Sequence, residues 1–119
     1  MIDNKKFIEK PWGGELIWAE TEKYVGKVLF IKQGHKLSRQ YHKIKEETII
    51  VNTGILTIEL GKKEKVQRIT LNAGQTFHIR PNTIHRFCAE YGAVELFEVS
   101  TPHLDDVVRI EDDYNRTLN

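Results

Sequence analysis

Gly34-His35-Lys36-Leu37-Ser38-Arg39-Gln40-Tyr41-His42, followed by Glu47 and Gly54, is the stretch on which the reading of this chain turns. Gln40 and His42 stand two apart, so on an extended strand they project to the same face. Glu47 follows shortly. A second segment, Pro81-Asn82-Thr83-Ile84-His85, brings another imidazole from a distant part of the chain. Gln40, His42, Glu47 and His85 together offer two imidazoles, a carboxylate and an amide oxygen. That donor set suits a divalent transition metal (Zn, Mn, Fe, Co or Ni, with Zn first) and leaves coordination positions open for a ligand. Any one of the four reads equally well as a surface polar residue or a hydrogen-bonded strand end. The inference rests on the combination.

Outward from this stretch the pattern is β throughout. Residues 25–31 are apolar and β-branched apart from Gly26 and Lys27, and they end at the turn pair Gln33-Gly34. Residues 48–51 and 55–60 flank Asn52-Thr53-Gly54, a hairpin signal in which Gly54 supplies the unusual backbone angle. Leu56, Ile58 and Leu60 alternate with Thr57 and Glu59, the period of a half-buried strand. Further strands are expected over 66–71, 76–79, 85–89 and 94–100. No long segment carries helical periodicity, although 43–47 has room for one helical turn. Short strands at regular spacing, punctuated by Gly and Pro, indicate a single all-β sandwich or barrel. Residues 1–24 read as an N-terminal strand extension and 104–119 as a tail that Val107, Val108 and Ile110 anchor, its last residues fraying.

Composition narrows the function classes. At 119 residues one domain is expected. Lys+Arg 18 against Asp+Glu 17 gives no basic field for nucleic acid or an anionic membrane. The lone Cys88 cannot form an internal disulfide, and neither a secretory leader nor an apolar run of roughly 20 residues is present. A cytoplasmic setting is the expectation.

The two motif segments resemble the paired motifs of the cupin superfamily, small jelly-roll barrels (double-stranded β-helices) with a metal in the mouth. Gly34, Gln40-Tyr41-His42, Glu47 and Gly54 fall at the spacing of the first motif, with Gln40 where most cupins have histidine. Gly74, Pro81 and His85 fall at the spacing of the second. There Arg80, Asn82 and Ala89 depart from the usual Pro, Gly and Asn, and Asn82 is among the better substitutes where φ is positive. The Leu37-Ser38-Arg39 lead into Gln40, together with Lys10-Pro11-Trp12-Gly13, His85-Arg86 and the run from Asp105 to Tyr114, is similar to the isomerase domain of type II mannose-6-phosphate isomerases, which also occurs fused to mannose-1-phosphate guanylyltransferase. The resemblance implies a metal-dependent isomerase converting mannose 6-phosphate to fructose 6-phosphate through a cis-enediol.

Under that resemblance the candidate catalytic residues are Glu47, His78 and Arg86, with metal-bound hydroxide an alternative base. The candidate phosphate ligands are Arg86, then Arg80, then Lys32, since phosphate favours an arginine fork. Strand alternation turns Arg86 away from His85 unless the strand is bulged. Arg39 reads as a solvated cation, and His78 is more often a structural or exposed histidine. Cys88 and Tyr41 read as core. Trp12 and Trp18 read as sugar-stacking rings or as covers for a barrel end or dimer contact. The expected partner is a small sugar phosphate, with no nucleic acid and no membrane. A homodimer is expected, with 7–18 as an edge or exchanged strand. Two alternatives stand beside the isomerase: a non-catalytic cupin holding a sugar, nucleotide-sugar or small regulator, and a metal-dependent dioxygenase, against which Gln40 counts.

Overall fold

A computed structural model describes residues 5–116. Eleven strands make the fold: β1 (Lys6–Lys10), β2 (Gly13–Glu20), β3 (Val25–Ile31), β4 (Arg39–Tyr41), β5 (Glu47–Thr53), β6 (Leu56–Leu60), β7 (Gln67–Leu71), β8 (Thr76–Ile79), β9 (His85–Cys88), β10 (Val94–Ser100) and β11 (Val108–Glu111). No α-helix occurs among the described residues; Lys63–Lys65 forms one 3-10 turn. One sheet runs β1-β2-β3-β10-β5-β8 and the other β11-β4-β9-β6-β7, every pairing antiparallel.

The inward stripes of the strands explain both the core and the site. In β10 the buried side chains are Val94, Leu96, Glu98 and Ser100, apolar at one end and polar at the other. In β3 the inward set is Val25, Lys27, Leu29 and Ile31. In β5 it is Glu47, Ile49 and Val51, and in β9 it is His85 and Phe87. Register brings like levels together: Leu96 lies opposite Leu29 and Val51, Glu98 opposite Lys27, and Ser100 opposite Glu47. The apolar halves meet as one core of Leu29, Ile31, Ile49, Val51, Leu56, Ile58, Phe87 and Leu96. Each such side chain contributes roughly 1.5–3 kcal/mol on burial. That closed end lets the other end carry charge.

The two ends of the chain are integral to the sheets. β1 and β2 form a hairpin whose second strand pairs with β3. The expected tail carries β11, which pairs with β4. Beyond it the Tyr114 hydroxyl meets His35 Nδ1 at 2.8 Å, the two rings lie within 4° of parallel, and Tyr114 packs against the core. Residues 117–119, where fraying is expected, lie outside the described residues.

Local turns follow the sequence at several points and depart at one. Gly54 has φ 86° and Asn82 has φ 64°, the angles that their positions demand. Residues 43–46 form no helical turn. The amides of Lys43, Ile44 and Lys45 instead converge on a carboxylate from the C-terminal segment, described below, and that of Glu46 donates to the Thr101 hydroxyl, which replaces the bonds that a helix would make.

Gly54 and Gly74 separate two costs. A methyl on Gly54 meets Ala93 O at 2.3 Å, whereas one on Gly74, also at positive φ, meets nothing within 4 Å. Gly74→Ala is expected to lose about 1–2 kcal/mol, the cost of a left-handed L-residue. Gly54→Ala is expected to lose distinctly more, because backbone must move as well. Urea unfolding of the two variants compares them directly.

Candidate metal centre and its polar cavity

His42, Glu47 and His85 converge at the charged end of the barrel, each buried, with one donor atom apiece inside a 4.8 Å span. His42 comes from the loop after β4, Glu47 opens β5 and His85 opens β9. The rings of His42 and His85 are 5.4 Å apart between centroids. Gln40 sits on β4 directly opposite His85 and lines the same cavity.

The hydrogen bonds fix which nitrogens face inward. His85 Nδ1 lies 2.8 Å from Thr83 O and His42 Nδ1 lies 2.5 Å from Asp106 O. A carbonyl only accepts, so both Nδ1 atoms carry the proton and donate. Nε2 is then the nitrogen of each ring not committed to backbone, and that of His42 lies 3.4 Å from Glu47 Oε2. An imidazole anchored at Nδ1 with Nε2 free is the usual arrangement of a metal-ligating histidine. Burial depresses the His85 pKa, an effect only partly offset by Glu47 and Thr83. Glu47 Oε2 is buried without a directed hydrogen bond. Two imidazoles and a carboxylate whose donor atoms converge within 4.8 Å fit a divalent ion.

Lys45 completes the floor. Its ammonium lies 3.0 Å from Glu47 Oε2 and 2.9 Å from Glu98 Oε2, with all three side chains almost wholly buried. Burial pulls the Lys45 pKa down, but the two carboxylates more than reverse this and hold it charged. Burial likewise opposes ionisation of Glu47, yet His42, Lys45 and His85 drive its carboxyl well below the ordinary range. Glu98 goes the other way: burial and repulsion from Glu47 raise its pKa against the pull of Lys45 and Lys27. Two neighbouring carboxylates are thus pushed apart, one a fixed anion and the other a group able to take a proton.

A cavity of about 110 Å³ opens beside this cluster. Its walls include Lys10, Glu15 and Lys27, where Glu15 bridges the two lysines at 3.8 and 3.3 Å. Trp12, buried in the core, forms another wall. From the C-terminal segment come Leu104, Val107, Arg109 and Arg116.

Asp106 fastens that segment to the metal-binding loop. Its carboxylate accepts the amides of Lys43, Ile44 and Lys45 at 3.1, 2.7 and 2.9 Å, while its own carbonyl holds His42. Burial would raise the Asp106 pKa, but the three amides outweigh it and hold the group at about 2.

Other expected site residues lie elsewhere, and alternation gives the reason. β9 pairs regularly with β6 without a bulge, so Arg86 falls opposite Glu59 on the outer face. There it is 1% exposed, donates to Leu37 O at 2.7 Å and to Asp113 at 2.7 Å, and so braces the C-terminal segment instead of meeting a ligand in the cavity. Arg39 is not solvated: it is buried and binds Glu111 at 2.9 Å and Glu59 at 2.7 Å. His78 is exposed on β8, paired with Glu46 outside the barrel. Arg80 and Lys32 are exposed and line no part of this cavity. Cys88 is buried, its thiol pushed by burial up to about 11, and Trp18 is half-exposed on the outer face of β2.

The residues that sequence reasoning passed over are mostly buried charges: Lys45, Glu98, Glu15, Lys27, Arg109 and Arg116. For Glu98 and Lys27 a signal existed. Each shares its parity with apolar neighbours, Glu98 with Leu96 and Lys27 with Leu29, which places it on an inward face.

A protein-family model described as Mannose-6-phosphate isomerase C-terminal matches residues 2–112. The chain belongs to this family. A search of curated proteins gives no significant match. Solved structures share the fold at low identity. The capsular polysaccharide assembling protein CapF from Staphylococcus aureus is 13% identical over 92% of this chain and 33% of its own, with a TM-score of 0.77. KdgF from Halomonas sp. is 19% identical over 84% and 88%, at 0.70. A Klebsiella pneumoniae protein with a double-stranded β-helix domain is 18% identical over 94% and 90%, at 0.68. The chain spans about a third of the CapF chains it matches. This isomerase-family domain therefore has the double-stranded β-helix fold that the sequence motifs imply, with a His/Glu/His cluster at its charged end.

Two outcomes follow from the cluster. Lys45→Met leaves Glu47 and Glu98 buried without their shared cation and is expected to cost about 3–5 kcal/mol in urea unfolding. A loss under about 1 kcal/mol, within the range of an exposed ion pair, rules out that clamp. The second outcome concerns acid. The Asp106 carboxyl is lowered from 3.8 to about 2, so the stability it contributes is complete above pH 4 and disappears as pH falls through 2. Asp112 is lowered by its Arg116 bond, and Asp113 by Arg86 against the pull of burial. Pepsin is expected to cut within 104–116 increasingly as pH drops from 4 to 2, before it attacks the sheets.

Proposed function

We propose that this domain is a metal-dependent aldose–ketose isomerase acting on a hexose phosphate, most specifically mannose 6-phosphate to fructose 6-phosphate. The observation that carries the reading is the convergence of two imidazoles, each held at Nδ1 by a backbone carbonyl, on the buried Glu47 carboxylate, with the donor atoms inside a 4.8 Å span. His42, His85 and Glu47 would hold the ion, Zn, Mn, Fe, Co or Ni, with the Gln40 amide oxygen as a fourth ligand. When bound, such an ion supplies Lewis-acid polarisation of the sugar's carbonyl and neighbouring hydroxyl oxygens.

The rest falls to the chain. Isomerisation moves one proton from C2 to C1 and a second from the C2 hydroxyl to the C1 oxygen, so one basic group must reach both carbons while the two oxygens exchange a proton. Glu47 is committed to the ion, and Glu15 is held by Lys10 and Lys27. Glu98 lines the cavity with a raised pKa and is the proton carrier. Lys45 keeps Glu98 in place and stabilises its anionic form. Trp12 and Leu37 form apolar walls that shield this exchange from bulk water. A cavity of about 110 Å³ admits the reacting end of the sugar, and the remainder lies toward the mouth.

One feature favours a second reading, a sugar-binding cupin without turnover. Lys45 already touches Glu47 at 3.0 Å and competes with a metal for that oxygen. Elemental analysis and a coupled assay on mannose 6-phosphate decide between the two. The isomerase reading expects stoichiometric metal, with activity lost on chelation and regained on reloading. His42→Ala and His85→Ala should each reduce kcat/KM by about 100-fold or more. Glu98→Gln should retain the metal and lower kcat by roughly 10²–10⁴-fold. A melting shift with mannose 6-phosphate but no product from the metal-loaded protein establishes the binding module instead.

A further inference from the structure

Arg109 differs from the other described arginines. Arg39, Arg68, Arg86 and Arg116 each reach a carboxylate, and Arg80 is exposed. Arg109 is half-buried, and its Nε is sealed from solvent with no hydrogen-bond partner. A buried donor left unsatisfied is costly, and more so when it belongs to a charged group.

Its surroundings add to that cost. The charges acting on Arg109 are those of Arg116 and Asp112, and burial together with Arg116 depresses its pKa. Asp112 does not relieve it, because that carboxylate is occupied by Arg116: it accepts the Arg116 amide at 2.8 Å and two guanidinium bonds at 3.0 and 2.9 Å. Glu111, two residues further along, serves Arg39 and Arg86 on the outer face. Two guanidiniums therefore line one cavity with a single carboxylate between them, and Lys10 and Lys27 share only Glu15 nearby.

Register places this cationic group relative to the metal cluster. Arg109 lies opposite Gln40 across β11 and β4, and Gln40 lies opposite His85 across β4 and β9. At about 4.8 Å per strand, the backbone of Arg109 is about 10 Å from that of His85, in the same inward row. The reactive and phosphate ends of an open hexose phosphate are separated by roughly 7 Å on ordinary bond lengths. Side chains reaching in from both ends of the row therefore meet opposite ends of one such molecule.

The geometry points to Arg109, with Arg116 beside it, as the anion subsite of this cavity, taking the phosphate of a sugar phosphate whose other end lies at His42, Glu47 and His85. The assignment rests on the sugar-phosphate reading above. It moves phosphate recognition from Arg86, Arg80 and Lys32 to the C-terminal segment. Arg109 supplies the planar fork that suits a phosphate, while Asp112 and the Tyr114 ring, 5.8 Å from the Arg116 guanidinium carbon, hold Arg116 in position.

Calorimetry on the metal-loaded protein with mannose 6-phosphate, mannose and inorganic phosphate tests this. Wild type is expected to bind mannose 6-phosphate more tightly than mannose. Arg109→Gln should weaken mannose 6-phosphate and inorganic phosphate by about 10- to 100-fold, the range for a lost charge-assisted bond, while mannose changes less than about twofold. Arg109→Lys should recover part of the loss, and the melting temperature of Arg109→Gln should not fall below wild type, because the change relieves an unsatisfied buried donor and the repulsion from Arg116. Unchanged phosphate binding in Arg109→Gln overturns the subsite, even where turnover of mannose 6-phosphate is intact. Phosphate binding that is lost in Arg109→Gln, in a wild type with no turnover, upholds the subsite and overturns the isomerase reading.

Discussion

One carboxylate joins the two halves of the site. Asp106 collects three successive amides from residues 43–45 and lends its carbonyl to His42. These bonds do two jobs. They hold the loop after β4 in a conformation that buries Lys45, and they fix the His42 tautomer that leaves Nε2 facing inward. Without Asp106 the imidazole would be free to rotate, and the amides would need water in a place where Lys45 must stay dry. The cluster at the mouth is thus held as much from the C-terminal segment as from the two motif strands.

Charge is tolerated inside this barrel because it is sorted. Along β5, β9 and β10 the inward residues pass from aliphatic or aromatic at one end to ionic, hydroxyl or imidazole at the other, and on β3 Lys27 interrupts an aliphatic row at the level of Glu98. The aliphatic end makes a dry core. The other end groups ions so that cations and carboxylates alternate: Lys10, Glu15 and Lys27 on one wall, Glu47, Lys45 and Glu98 on the floor. The outer face of the smaller sheet repeats the device with Arg39, Arg86, Glu59, Glu111 and Asp113, and there the ions fasten the C-terminal segment.

The fold was legible because turn residues and strand parity are local signals. β3, β8 and β10 occupy the spans expected from their composition and bounding turns, β6 (Leu56–Leu60) lies where its alternation indicates, and Gly54 and Asn82 adopt the angles that their turns require. His42, Glu47 and His85 were legible as a group because motif spacing converts sequence distance into position. Lys45 and Glu98 were not, because a charged residue is ordinarily assigned to the surface and only its partner's location reverses that. Arg86 shows the opposite limit: adjacency to His85 suggested shared chemistry, while a period of two placed the neighbours on opposite faces. Arg109 was hidden for a different reason. It lies within the stretch that reads as a tail, and only pairing with β4 brings it into the cavity row.

The order of emergence during translation gives this arrangement a temporal side. The last strand of the larger sheet, β10, is complete at Ser100, but the anchor of the histidine loop is Asp106, and the guanidiniums of the cavity come at Arg109 and Arg116. A nascent polypeptide can assemble its aliphatic interior well before it acquires a competent mouth. The His42 loop therefore gains its anchor, and the cavity its two arginines, only after every strand of the larger sheet has been made.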